Sequence, residues 1–209
     1  MTGYKFLFMF AMLLRHTKLI LVWGILIAIL SAAVSLLFPW QYSAESQVLI
    51  ISRDRSGVDP YTQSKAAERI GENLAQVMQT DDFKGKVMEM PSATFDKTRW
   101  SNLTDRKQKK QWQKDVVGQM LYGTSLMKIT VYSNQNDVLP LASAVTETLT
   151  THGWEYVGGD VAIKTVNQPI VSQWITRPNI ILNGVLGFLA GIVLSSAWVI
   201  KYKRHMFGL

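Results

Sequence analysis

The chain has 209 residues and no cysteine; 48% of it is hydrophobic, 18% charged, and its formal net charge is +7. That length suits one modest domain with membrane segments rather than a large multidomain enzyme, and the lack of cysteine excludes disulfides, thiolate metal sites and a cysteine nucleophile. The surplus charge lies in the tails. Lys5, Arg15 and Lys18 stand in residues 1–18 and Lys201, Lys203 and Arg204 in residues 201–209, with no acid in either stretch, while the 16 bases between them face 15 acids. A near-neutral middle is not the electrostatic footprint of a nucleic-acid binder, so no nucleic acid is expected as a partner.

Residues 19–38 and 180–200 contain no charged side chain. As helices at about 1.5 Å per residue they are each about 30 Å long, the thickness of a bilayer's hydrocarbon core. Lys18 abuts the first run and Lys201 the second. Positive flanks predict a two-pass membrane protein with both termini cytoplasmic. Residues 1–18 then form a cytoplasmic or interfacial segment, 39–179 an exported, extracytoplasmic domain, and 201–209 a cytoplasmic tail. Trp40, Tyr42 and Trp174 fit the outer interface, Trp198 and Tyr202 the inner one. The competing reading of the first run is a signal peptide with Ser31-Ala32-Ala33 as its small residues, although twenty apolar residues is long for that role. Residues 4–14 read as an interfacial helix on lipid headgroups or as an extension of the span. Gly24, Ala28, Ser31 and Ser35 in the first span, and Gly184, Gly187, Gly191 and Ser195 in the second, recur along one stripe of each helix. Such stripes let helices pack closely, but glycine is also simply common in membrane helices.

In the exported middle, residues 42–51 read as a strand. Asp59-Pro60 opens a helix whose Ala66, Ile70, Leu74, Val77 and Met78 keep helical spacing. Asp82 is expected to cap a short helix over 83–90, and 91–102 to form a loop. A further helix from Thr104 or Asp105 carries Trp112, Val116 and Met120 on its buried side. Met127, Ile129 and Val131 alternate with Lys128, Thr130 and Tyr132, the period of a strand. A turn at 134–137 leads to a helix through Leu141, Val145 and Leu149, extending toward Trp154. Gly158-Gly159 precedes a strand over 161–166, and 168–178 is expected to be extended. The fold class is α+β: a small mixed α/β domain between two transmembrane helices.

Catalytic chemistry is thin. His16 and His205 lie in the tails and only His152 lies between the spans, which provides neither a His-based metal cluster nor a Ser-His-Asp system. No Walker A, G-x-S-x-G or G-x-G-x-x-G pattern occurs. No catalytic, cofactor or metal residue is expected, and Asp81-Asp82 reads as a helix start. One cluster stands out. Arg106, Lys107, Lys109, Lys110 and Lys114 share a helix, with Arg106, Lys110 and Lys114 at i, i+4 and i+8. That ridge could hold an anionic polymer or a lipid-linked phosphate, with Trp100 stacking on sugar; a solvated helix face is the plainer alternative.

The order of elements resembles the Wzz-type chain-length determinants, the polysaccharide co-polymerases of bacterial surface-glycan assembly. The resemblance is carried by the apolar N-terminal helix ending Leu13-Leu14-Arg15-His16-Thr17-Lys18 and by the strand Tyr42-Ser43-Ala44-Glu45-Ser46-Gln47-Val48-Leu49-Ile50. It continues in Gly123-Thr124-Ser125-Leu126-Met127-Lys128-Ile129-Thr130-Val131-Tyr132-Ser133, the helix with Leu141-Ala142-Ser143-Ala144-Val145, and Pro178 entering a glycine-rich second span. Thr176-Arg177-Pro178-Asn179 stands where relatives carry a more proline-rich element. The middle is too short for the long helix of large O-antigen regulators, which implies a short member. The nine-residue tail has one tyrosine and no ATP site, so a fused kinase is not expected.

The resemblance implies a non-enzymatic, cofactor-free protein that forms a homo-oligomeric ring and governs the length, polymerisation or export of a surface polysaccharide. Membrane lipid and the polymerase or export machinery are the implied partners, with Arg106, Lys107, Lys110 and Lys114 as candidate glycan contacts. Two other readings stand beside it: an adaptor that activates a cytoplasmic tyrosine kinase, and a sensor or receptor with an exported ligand-binding domain.

Overall fold

A computed structural model describes residues 13–52, 59–158 and 161–206. The expected interfacial segment up to residue 12, residues 53–58, Gly159 with Asp160, and residues 207–209 lie outside the described residues. The chain divides into two compact units, one of residues 1–40 with 177–209 and the other Gln41–Thr176.

The first unit is a pair of helices, α1 (Thr17–Ser35) and, at the far end of the chain, α8 (Ile180–Met206). Both are long and apolar enough to cross a membrane. Their apolar side chains are mostly exposed, Leu30 at 64% and Ile181 at 81%. A helix that presents leucine, isoleucine and tryptophan all round has lipid as its natural solvent. α1 ends three residues earlier than the apolar run, and Leu36–Phe38 continue as a hydrogen-bonded turn.

The second unit runs β1 (Tyr42–Ser52), α2 (Pro60–Val77), α3 (Asp81–Glu89), α4 (Thr98–Ser101), α5 (Asp105–Asp115), β2 (Val116–Met120), β3 (Leu126–Ser133), α6 (Val138–His152), α7 (Trp154–Val157) and β4 (Val161–Val171). The strands form one antiparallel sheet in the order β2-β3-β1-β4. In β1, Ala44, Ser46, Val48 and Ile50 are buried while Glu45 is exposed, the alternation of a strand with one covered face. On the covered side Ala67, Leu74 and Met78 of α2 and Leu141, Val145 and Leu149 of α6 join Met127, Ile129 and Val131 of β3 in the core. The buried Ser46 and Thr146 hydroxyls meet at 2.7 Å, so the polar pair inside is satisfied.

Five expectations change. The residues assigned to the end of the helix expected from Thr104 or Asp105, Val116 to Met120, form strand β2 instead, paired with β3 from Val116↔Val131 to Met120↔Met127. The apolar i, i+4 spacing of Trp112, Val116 and Met120 also satisfies a strand, and the β-branched pair Val116-Val117 favours one. Gly118 then admits close neighbours: a Cβ there would lie 2.4 Å from the Met127 Cε and 3.3 Å from the Ala75 Cα. The cap of α3 is Thr80, which accepts from the Phe83 N–H at 3.3 Å, and Asp81 and Asp82 occupy the first turn, where their charge suits the helix dipole. The stretch 91–102 contains α4 and two core aromatics, Phe95 and Trp100. Finally β4 reaches Val171, five residues further than expected; its Pro169 is tolerated because β4 pairs on one side only, with β1. Trp154 lies outside α6, in α7, and is half exposed.

Candidate functional site

In the helical pair, α1 and α8 touch along small residues. A Cβ built at Gly191 would lie 2.8 Å from the Gly24 Cα and 3.2 Å from the Trp23 carbonyl oxygen; one built at Gly187 would lie 2.6 Å from the Ser31 Cβ. Gly24, Gly187 and Gly191 are therefore where the two backbones approach. Ala28 is half-buried beside them, while Gly184 has open space around its missing side chain. Hydrogen bonds add to the contact. The Ser31 hydroxyl donates to the Asn183 carbonyl at 2.9 Å, and the Asn183 amide donates to the Ser35 Oγ at 2.8 Å. Polar groups inside an apolar bundle find partners across helices because lipid has none to offer. Asn183 was not singled out by the stripe argument; its signal was being the one carboxamide in an apolar run.

The basic cluster lies on α5. Arg106, Lys107, Lys109, Lys110 and Lys114 are all exposed, and Lys114 has a partner within the protein. The opposite face of this short helix is held firmly. Trp112 is buried, donates its indole N–H to the Met78 carbonyl at 2.8 Å, and meets Trp100 edge-on with ring centroids 5.7 Å apart. Gln108 donates to the Trp100 carbonyl at 2.9 Å and accepts from the Lys84 ammonium at 2.5 Å. At the C-terminal end the Asp115 carboxylate is fully buried and accepts from Arg99 at 2.9 Å, Gln111 at 3.0 Å and the Trp100 indole at 3.2 Å. Burial raises the Asp115 pKa above the usual carboxylate value, opposed by the neighbouring Arg99 guanidinium and these donors. Trp100 is thus a core side chain, 2% exposed, and is not free to stack on a sugar as the sequence suggested. Its anchoring role fixes the position of the basic face instead.

A second polar cluster ties α3, α6 and α7 together. The Lys86 ammonium lies 2.5 Å from Glu155, whose other oxygen lies 2.7 Å from His152 Nδ1, and the Tyr156 hydroxyl donates to Asp82. Hydrogen bonding by Glu155 raises the Lys86 pKa, and in turn Lys86 and His152 lower that of Glu155. These are surface ion pairs of structural character, and among the described residues no group of three His, Cys, Asp or Glu is placed to hold a metal ion.

Residues 5–90 match the family model of the Wzz chain length determinant protein. This segment resembles a Wzz domain. It spans α1, β1, α2 and α3, less than half of the chain; the Gly123–Ser133 stretch and the glycine-rich α8 that also suggested Wzz lie beyond it. No curated protein sequence matches the chain.

Proposed function

We propose that this protein is a non-enzymatic co-polymerase that sets the chain length of a surface polysaccharide from the bacterial inner membrane. The observation that carries the reading is the Wzz match over residues 5–90, which joins an apolar helix to the first strand and helices of the sheet-bearing unit. Wzz proteins are co-polymerases without catalysis of their own. Two long apolar helices with Arg15, Lys18 and Lys201 at their ends support a two-pass protein with cytoplasmic termini and an exported middle. In this reading several copies stand side by side in a ring and hold the growing glycan or its polymerase for a characteristic time. The exposed face of Arg106, Lys107, Lys110 and Lys114 contacts anionic glycan or lipid-linked phosphate, and the polysaccharide polymerase or export machinery is the protein partner.

The test is the glycan length profile of a deletion strain. Loss or redistribution of chain length, restored by the wild-type gene, is expected; an unchanged profile overturns the reading. Complementation with Arg106→Ala/Lys107→Ala/Lys110→Ala is expected to leave the protein in the membrane while shifting the distribution. A wild-type distribution from that variant removes the glycan role of the basic face.

A further inference from the structure

Four cations of α5 stand without a counter-charge. Arg106, Lys107, Lys109 and Lys110 are exposed, and none of them makes an ion pair or a hydrogen bond among the described residues. Other lysines of the sheet-bearing unit are matched: Lys65, Lys84, Lys86 and Lys128 lie 2.7, 3.3, 2.5 and 2.8 Å from Glu68, Asp81, Glu155 and Glu45. The acids of α5 do not serve, since Asp115 is buried against Arg99 and Asp105 occupies the first turn. Like charges one turn apart, Arg106 with Lys109 and Lys110, repel and weaken a helix. The cluster therefore destabilises the element that carries it until an anion arrives.

α5 lies at the end of the sheet where the chain enters and leaves the unit. Val116, the residue after α5, pairs with Val131, which in turn pairs with Ala44, the third residue of β1. Arg99 donates to the Ser133 hydroxyl at 3.3 Å, and Ser133 stands opposite Tyr42. The Gln79 carboxamide donates to the Val116 carbonyl at 2.7 Å, and Lys84 reaches Gln108 in the middle of α5. The two ends of the unit are joined here, with the Thr176 N–H donating to the Gln41 carbonyl at 2.8 Å. Residues 39 and 40 separate Gln41 from the first apolar run, and 177–179 separate Thr176 from the second. Fully extended, these connections reach about 10–14 Å, and the headgroup layer takes up about half of that. On the two-pass reading above, this end of the unit cannot stand clear of the bilayer surface.

Exposed ion pairs are individually weak, so a lone phosphate or carboxylate gains little from this face; several anions must be presented together. A leaflet containing anionic phospholipid does that, and the short connections hold it at high effective concentration, whereas a soluble polymer has to be captured from bulk. The face also lacks the ring that sugar recognition uses, since Trp100 and Trp112 are buried. Trp112 is the one large apolar residue of α5, so the helix has nothing exposed that would enter the acyl region. What is left is attraction to surface charge within a screening length of about 10 Å. We propose that Arg106, Lys107, Lys109 and Lys110 dock on the phosphates of anionic phospholipid headgroups and hold α5 against the membrane surface. This names the partner of the basic face; it rests on the two-pass reading and is independent of any glycan role.

The experiment places the full chain in lipid discs of phosphatidylcholine alone or with about one third phosphatidylglycerol. A fluorophore is carried by Gln113→Cys, an exposed position of α5 outside the four cations in a chain that has no other cysteine. A fixed small fraction of phosphatidylcholine with a nitroxide on its headgroup serves as quencher in both compositions. Quenching is expected to be about twofold stronger with phosphatidylglycerol and to fall to the phosphatidylcholine level at about 0.5 M salt. The same fall is expected in Arg106→Ala/Lys107→Ala/Lys109→Ala/Lys110→Ala. Thermal unfolding verifies the fold of that variant, and Lys107→Ala/Lys110→Ala provides a second should the first be unstable. Equal quenching in the two compositions, or quenching that the folded variants leave unchanged, overturns the docking. So does equal quenching accompanied by a rise in anisotropy with alginate oligosaccharides that the variant abolishes, which assigns the face to acidic glycan instead. A chain that fails to enter the discs overturns the two-pass reading together with the docking.

Discussion

Asp115 shows how one residue fixes the position of a whole face. Its carboxylate is buried, and it binds Arg99 and Gln111 while receiving the indole N–H of Trp100, so the end of α5 is pinned to α4. Because burial raises its folded pKa above the unfolded value, the folded chain keeps the proton more tightly than the unfolded chain. Its contribution is most favourable below the ordinary carboxylate range, declines as pH rises toward the folded pKa, and is level above it. Asp115→Asn is expected to flatten that part of the stability profile relative to wild type, measured by denaturant unfolding in micelles between pH 4 and 7. Asp115→Ala leaves Arg99 and the Trp100 indole without their acceptor and is expected to cost about 3 kcal/mol across the whole range. The sequence revealed part of this arrangement. Trp112 was legible as buried from its helical spacing, whereas Trp100 and Phe95 stand in a stretch without periodicity, where nothing local says which way an aromatic ring points.

At the scale of elements, the strands and helices with strong periods were legible: β1, β3, α2 and α6 fall close to where alternation and i, i+4 spacing put them. β2 was not, because a helical and an extended reading of Trp112, Val116 and Met120 bury the same residues, and the choice is made by pairing with β3 across the Gly123 turn, where φ is +71°. Long-range pairing of this sort leaves little local signature beyond the β-branched pair Val116-Val117. In the helical pair the small-residue stripe identified the right face but could not say which glycine meets the partner. Gly191→Leu would drive a side chain into the backbone of α1 at Gly24 and Trp23, and overpacking of this kind costs about 1–3 kcal/mol. A lower midpoint temperature in micelles is expected for Gly191→Leu, with Gly184→Leu close to wild type because its position is open. Equal loss in both variants would contradict the helix contact described.

For the whole molecule the decisive question is which side of the bilayer each unit faces, and the cysteine-free sequence makes it answerable with single introduced thiols. With the exported middle proposed, Tyr122→Cys in cells with a permeabilised outer membrane reacts with a membrane-impermeant maleimide, while Lys203→Cys reacts only after the inner membrane is opened. The reverse pattern would invert the topology and remove the basis for contact with glycan. The two apolar runs were legible because a bilayer imposes length and composition directly on the sequence, whereas the order of strands in the sheet was not, since it is decided by pairing between segments far apart in the chain. The edge strand β4 bears on aggregation. Its outer edge is long, but Pro169 lacks an N–H and Lys164 carries charge on an exposed position, the devices that stop one sheet from templating another. A strand from another polypeptide therefore finds no continuous row of backbone partners there, which disfavours growth into fibres.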